Sequence, residues 1–248
     1  MNGTTRMNEN ERASAAGRRG IDGRPVADAG RGPITGPVLH GHCASVEPID
    51  PARDADAIFR VGREGTDPDR IWDYMAFGPF AEVTAVEDWL ARCAASRDPV
   101  FMVYRDRASG EPGGMGSFME LRPAVGVGEI GNIWFGRGWQ RSRHATEALC
   151  LMMEHVLGTC RYRRLEWKCN ALNAPSRTAA LRLGFRYEGI FLNHMVVKGC
   201  SRDTAWFSLT EEEWPEVRAC HERWLDPSNF EADGTQRISL AALTRALW

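Results

Sequence analysis

What the chain lacks narrows its function classes first. No apolar run approaches the roughly 18 positions of a membrane-spanning helix, so the sequence predicts no transmembrane segment. The first twenty residues contain no continuous apolar stretch of the secretory type, and Glu9 and Glu11 interrupt any basic amphipathic leader. Neither charge sign dominates: 31 basic side chains face 33 acidic ones, for a net charge of −2, so no global field recruits nucleic acid or an anionic membrane. The seven cysteines, at 43, 93, 150, 160, 169, 200 and 220, form no C-x-x-C pair; their odd number and scatter predict free thiols in a reducing cytoplasm. His40, His42 and Cys43 carry ligand-type groups but find no second pair at metal spacing, so no metal is expected. Gly126-x-Gly128 and Gly136-x-Gly138 fall short of a dinucleotide fingerprint, and no internal repeat is present.

What is present is ordinary globular material, 43% hydrophobic and 26% charged over 248 residues, enough for one large domain with appendages. Residues 1–37 hold seven Gly, three Pro and six Arg with almost no bulky apolar side chain, and are predicted to be a disordered tail. A domain over 38–225 follows, then a C-terminal extension over 226–248 with a short helix.

Apolar alternation and helical spacing give an order of elements. A single strand over 38–48 leads to a helix from Pro51, then to an aromatic loop over 71–80. Thr84 and Glu87 form a capping box for the next helix, at 84–96. A hairpin over 100–106 and 113–121 and a third strand over 127–135 come next, then a helix over 144–158 and a strand over 163–170. A short helix closed by Gly184 at C′ and two long strands follow, and a last helix opens after Thr210 behind Glu211, Glu212 and Glu213. Antiparallel hairpins combined with one strand-helix-strand crossover predict an α/β (α+β) fold, a mixed central sheet flanked by helices.

The informative stretch is 129–148, EIGNIWFGRGWQRSRHATEA. A helix opening at Arg143 or His144 leaves backbone N–H groups pointing outward, and Arg141 and Arg143 add positive charge there, a setting able to hold a pyrophosphate.

The run Gln140-Arg141-Ser142-Arg143-His144-Ala145-Thr146, between strand and helix, resembles the acetyl-CoA motif of the GNAT N-acetyltransferase superfamily, Q/R-x-x-G-x-G/A. Asn173, Ser176, Gly184 and Phe185, in N-x-x-S-x7-G-F, resemble the second motif of the RimJ/RimL-like branch, the ribosomal-protein N-terminal acetyltransferases. The resemblance covers residues 43–210. It implies the GNAT sheet, whose middle strands splay apart, and acetyl-CoA as co-substrate held by Ile133, Trp134 and Phe135 at the strand end, by residues 140–146, and by Asn173. Arg141 and Arg143 stand where that branch usually has glycines. Ordinary negative φ is expected at both, with the side chains reinforcing a backbone phosphate site.

The resemblance also assigns chemistry. An alkylamine with a pKa near 10 must lose a proton before it attacks a thioester. Glu129, on the strand beside the pantetheine arm, either takes that proton or is a strand-end surface carboxylate; Glu166 is the second choice or simply solvated. No Tyr occurs between positions 173 and 185, so Ser176 is the donor for the leaving thiolate, unless it caps its helix. Asn173 contacts the cofactor, caps the helix, or does both. The aromatic loop, with Trp72, Asp73, Tyr74, Met75 and Phe77, lies where the family builds its acceptor side; it lines a pocket in which Asp73 binds a cation, or it covers the core. The implied activity is acetyl transfer from acetyl-CoA to a primary amine, a protein N-terminus or a small molecule, by direct attack in a ternary complex. The alternative is a non-catalytic module that senses acetyl-CoA. No nucleic-acid or membrane partner is expected, and the protein is expected to be a monomer or homodimer.

Overall fold

Central strands with long buried runs and a largely exposed edge strand build one eight-stranded sheet: β1 (Leu39–His40), β2 (Ala44–Pro48), β3 (Val100–Asp106), β4 (Pro112–Arg122), β5 (Val127–Phe135), β6 (Arg164–Asn170), β7 (Arg186–Val197) and β8 (Cys200–Thr210). Their spatial order is β1-β2-β3-β4-β5-β6-β8-β7, and every neighbouring pair is antiparallel except β5 and β6. The computed structural model describes residue 26 and residues 30–248 of the chain. Among them are six α-helices: α1 (Pro51–Val61), α2 (Val83–Ala95), α3 (Arg143–Met153), α4 (Ala174–Arg182), α5 (Trp214–Leu225) and α6 (Leu240–Arg245). The strand-helix-strand unit β5-α3-β6 is the parallel crossover expected from the sequence.

The two faces of the sheet carry two cores. Ala148, Leu149, Met152 and Met153 of α3, with Ala180 and Leu183 beside α4, pack on Leu165, Trp167, Phe207 and Leu209. On the opposite face, Ala55 and Ile58 of α1 and Val86, Trp89 and Leu90 of α2 pack on Val103, Met115 and Trp134. The α1 and α2 cluster thus covers the β3–β5 half of its face.

Three expectations need correction. The first strand is a tight hairpin, because the chain reverses at Gly41 and His42 and pairs Leu39 with Val46. Glu147 of α3, 2% exposed, fixes that reversal by accepting the amides of His42, Cys43 and Ala44, each at 2.7 Å. Burial opposes its charge, but these hydrogen bonds, with Cys43 foremost, hold its carboxyl below the usual carboxylate range. The capping box is absent: Glu82 is the N-cap of α2 without a side-chain bond to the helix, and Thr84 lies inside the helix with its hydroxyl 3.4 Å from Glu82. At the other end of the motif region, α4 closes as expected. Gly184 takes φ +96°, and the amides of Gly184 and Phe185 bond the carbonyls of Leu181 and Ala180, the paired bonds of a Schellman turn.

The third correction concerns the tail. Most of 1–37 lies outside the described residues, but 30–37 pack on the domain. Ile34 is 3% exposed in the larger core, Tyr162 donates its hydroxyl to the Gly32 carbonyl at 3.0 Å, and the Arg31 amide donates to Pro123 at 2.8 Å. Averaged composition hid one branched apolar residue that has a core to enter. Ile34→Ala is therefore expected to cost about 2–4 kcal/mol of unfolding free energy in chemical denaturation; a change below about 0.5 kcal/mol would show that the segment only rests on the surface.

Candidate active site

The parting of β5 from β6 positions the site. Their parallel pairing covers only Val127–Glu129 against Arg164–Glu166, after which β6 remains bonded to β8 as far as Asn170 and β5 to β4 as far as Phe135. From Ile130 onward β5 has no partner on the β6 side among the described residues. Asn132, at φ +53°, sits where the β4–β5 register shifts, and its amide donates to Ser117 Oγ at 3.0 Å. A strand edge bent at a bulge and left unpaired presents backbone groups to an extended ligand.

Side chains at this strand end go elsewhere. Trp134 is 4% exposed and lies 4.8 Å from the Trp72 ring, in the α1/α2 core. Phe135 stacks between Tyr104 and Trp139, and Ile133 packs on the larger core. What Ile133, Trp134 and Phe135 offer a cofactor is therefore backbone.

Beyond the strand, the loop holds itself together. Gln140 Nε2 donates to the Phe135 carbonyl at 3.1 Å, and Ser142 caps α3 by accepting the Ala145 amide at 3.1 Å. Arg141 takes φ +62°, which corrects the expectation of negative φ; the position keeps the left-handed turn that glycine favours and carries about 1–2 kcal/mol of backbone strain. The amides of Arg141, Arg143 and His144 have no acceptor among the described residues, so the helix start presents free donors.

The side chains around it divide. Arg143 turns back to the C-terminal extension, donating to the Leu225 carbonyl with its guanidinium 4.6 Å from the Phe230 ring. His144 meets Asp106 at 3.0 Å. Ala145 and Thr146 are buried beneath the turn, and Thr146 Oγ1 accepts from Arg182 Nη2 at 2.9 Å. Arg182 has no acidic partner within ion-pair distance among the described residues; burial, reinforced by repulsion from Arg141, lowers its pKa. Two guanidiniums, Arg141 and Arg182, thus share the positive end of α3. The sequence reading missed Arg182, whose only signal was its place before the helix-closing Leu-Gly-Phe.

Glu129 lies at the fork itself, 4% exposed, with Lys168 Nζ 2.7 Å from its Oε2. Burial raises its pKa to about 7, and the attraction of Lys168 only partly offsets that. The surface-carboxylate alternative is excluded by this burial. Glu166, across the ladder, is also buried, and Arg122 at 2.7 Å and Arg164 at 2.9 Å pair with its two oxygens, so it is not solvated. Lys168 lies 4.6 Å from the Trp206 ring, which sets the direction of its ammonium.

Ser176 approaches from the opposite face. It is inside α4, whose cap is Asn173, with Oδ1 accepting the Ser176 amide at 3.1 Å. The Ser176 hydroxyl accepts from Trp167 Nε1 at 3.0 Å. With an indole N–H on one lone pair, its own proton is left to donate. Alternation along β6 puts Lys168 on one face and Trp167 and Cys169 on the other, so Glu129 and Ser176 flank the opening between the strands from its two sides.

The aromatic loop separates into core and rim. Trp72 is 3% exposed, donates its indole N–H to the Gly62 carbonyl at 3.1 Å, and packs with Phe77, Phe80 and Trp89; Phe77 and Met75 join the same cluster. Those three are core residues rather than pocket walls, because the loop buries every large ring it can against α2. Asp73 and Tyr74 do face a cavity of about 260 Å³, shared with Asn170 of β6 and with Lys198, Ser201 and Arg202 of the β7–β8 hairpin. Tyr74 Oη donates to the Leu172 carbonyl at 3.2 Å, and Lys198 Nζ to the Trp72 carbonyl at 2.9 Å, so the hairpin tip and the loop close over the end of β6. The sequence reading did not include Lys168, Lys198 or Arg202; the alternation of Arg202, Thr204 and Trp206 against Ala205 and Phe207 was the available signal.

Comparisons with known proteins follow this geometry. A family model described as "Acetyltransferase (GNAT) domain" matches residues 46–186. A crystal structure of a GCN5-related N-acetyltransferase from Brucella melitensis is 38% identical over 88% of this chain and 99% of its own, with a TM-score of 0.85. A GNAT-family structure from Chromobacterium violaceum is 33% identical over 78% of this chain and 96% of its own, at TM-score 0.72. RimJ of Mycobacterium smegmatis, in complex with CoA-disulfide, shares the fold at TM-score 0.62 and 23% identity, over 76% of this chain and 93% of its own. No curated protein matches the chain at a significant level.

The two arginines of the loop now have separate expected effects. Arg141→Ala should weaken acetyl-CoA binding more at low than at high ionic strength, since its charge is free to act on phosphate. Arg143→Ala should instead lower thermal stability by releasing the C-terminal extension. Equal, salt-independent effects in titration calorimetry would remove Arg141 from the phosphate site.

Proposed function

The chain belongs to the GNAT acetyltransferase family, and from that premise we propose that it moves an acetyl group from acetyl-CoA to a primary amine by direct attack in a ternary complex. The observation that carries the reading is Glu129: a carboxylate buried where β5 and β6 part, paired to Lys168, and with a pKa of about 7. A base needs a pKa near the working pH to be both ionised and basic, and few positions in a sheet supply one. The residues present fit acetyl-CoA: the free amides of Arg141, Arg143 and His144 beside two guanidiniums suit a pyrophosphate, and the unpaired edge of β5 suits an extended amide-bearing arm.

Bound acetyl-CoA supplies an activated acetyl thioester. Glu129 takes the amine proton, directly or through water, as the N–C bond forms. Ser176 donates a hydrogen bond to the sulfur as the C–S bond breaks and keeps its proton, the departing thiolate taking one from solvent, while Trp167 and Asn173 hold the serine in place. Alignment of two reactants in one cleft contributes about 7–11 kcal/mol to lowering the barrier, so neither group needs to be a strong catalyst. Among the cysteines, those for which a shift is resolved have raised pKa values, which argues against a thiolate nucleophile. All seven are free, and on that basis we place the protein in the cytoplasm, acting on protein N-termini or small amines. No helix among the described residues is long and apolar enough to cross a membrane.

The pH profile tests Glu129. Its raised pKa makes the carboxylate form predominate only above about 7, so below that value kcat/KM should fall by a further tenfold per unit beyond the loss that amine protonation causes. Glu129→Gln should lower kcat by about 10²–10⁴ and abolish the inflection near 7, leaving only the titration of the amine. An unchanged profile would assign the proton transfer to solvent. Ser176→Ala should lower kcat by about 10² or less with little change in acetyl-CoA KM, and an effect on melting temperature alone would leave the hydroxyl a structural role.

A further inference from the structure

The acceptor cavity is not acidic. Of its charged lining residues, Asp73 is exposed at the rim, while Lys198 and Arg202 bring two cations. Asp73 does line the cavity, as expected of a residue that meets a cationic group, but two cations line it as well. Lys198 is already engaged by the Trp72 carbonyl at 2.9 Å, as Lys168 at the fork is by Glu129 at 2.7 Å. Arg202 is different. It is partly buried on the face of β8 shared with Trp206, it makes no ion pair within 4.0 Å among the described residues, and its Nε is buried without a hydrogen-bond partner. The carboxylate whose field it senses is Glu129, already committed to Lys168.

A guanidinium placed this way is costly in the absence of a ligand. A buried donor without an acceptor typically destabilises by about 1–3 kcal/mol, and a fold keeps one where another partner arrives. The planar fork of Arg matches a carboxylate with two parallel hydrogen bonds. Resting on the acetyltransferase reading above, we propose that Arg202 binds a carboxylate of the acceptor, so that the substrate is an amine carrying a carboxylate close to its amino group. The amine then faces Glu129 and the carboxylate faces the β7–β8 hairpin. Two sources share this chemistry: the α-carboxylate of a free amino acid, and an acidic side chain next to the amino terminus of a peptide. Trp206 lies on the same strand as Arg202, and its ring meets Lys168, the partner of Glu129.

The test compares acceptors that differ only in the carboxylate, alanine against alaninamide and Ala-Asp-amide against Ala-Asn-amide, with acetyl-CoA and thiol release as readout. The ratio of kcat/KM within each pair is measured for the wild type and for Arg202→Gln, so differences in amine basicity cancel between the two enzymes. We expect that the wild type prefers the carboxylate member of one pair and that the variant loses about 10- to 100-fold of that preference, mainly through acceptor KM. The pair that responds identifies the source. A ratio unchanged by Arg202→Gln in both pairs overturns the proposal while leaving the acetyltransferase reading intact. Calorimetric binding of N-acetylalanine and N-acetyl-Ala-Asp-amide in the presence of CoA keeps the two separable should turnover fail. Binding of either that weakens about tenfold or more in Arg202→Gln supports the carboxylate site without catalysis, and binding indifferent to the variant removes it. A melting curve confirms that the variant is folded.

Discussion

Everything the site does depends on a parallel ladder that stops after three residue pairs. Hydrogen bonding commits β6 to β8 along its whole length and β5 to β4, so neither strand can turn to meet the other beyond Glu129 and Glu166. Unpaired backbone inside a protein is expensive unless a ligand or water satisfies it. The sheet therefore contains a slot whose walls are polar main chain. The bulge at Asn132 belongs to the same constraint, because its shift of register bends β5 away from a continuous plane.

The fork also explains the chemistry at its base. A residue at the last paired position is buried by the ladder behind it yet borders the opening in front. Glu129 and Glu166 both occupy that level, and their roles diverge through their neighbours. Two arginines neutralise Glu166, whereas Glu129 has one lysine that is itself drawn towards the Trp206 ring. One carboxylate is thereby paired on both oxygens, while burial raises the pKa of the other to about 7. On the far side, Trp167 orients Ser176, so Glu129 and Ser176 stand on opposite faces of one gap.

Strain and charge are concentrated where a ligand would relieve them. Arg141 accepts a left-handed backbone, Arg182 is buried without an acid, and Arg202 lacks an acceptor on a buried nitrogen. Ion pairs of the Glu47, Asp54, Arg53 and Arg105 cluster bind α1 to the sheet. An unbalanced cation at each end of the slot fits an anionic cofactor on one side and an anionic acceptor group on the other.

Local pattern by itself determined a good deal. Alternation and turn residues set the order of elements, the crossover fixed a parallel pair, and the free helix start at Ser142 with the Gly184 closure made the two motifs legible, since each is a property of a few consecutive residues. Tertiary structure decided the rest. Whether Trp72 walls a pocket or fills a core depends on α2 lying against it, and whether Arg143 meets phosphate depends on the extension that captures it. Ile34 is a core residue only because the domain leaves room for it. Above all, the character of Glu129 comes from its burial and from Lys168 and Glu166, side chains distant in sequence that strand pairing brings beside it. A pKa is the sum of such neighbours, and no window of sequence contains them.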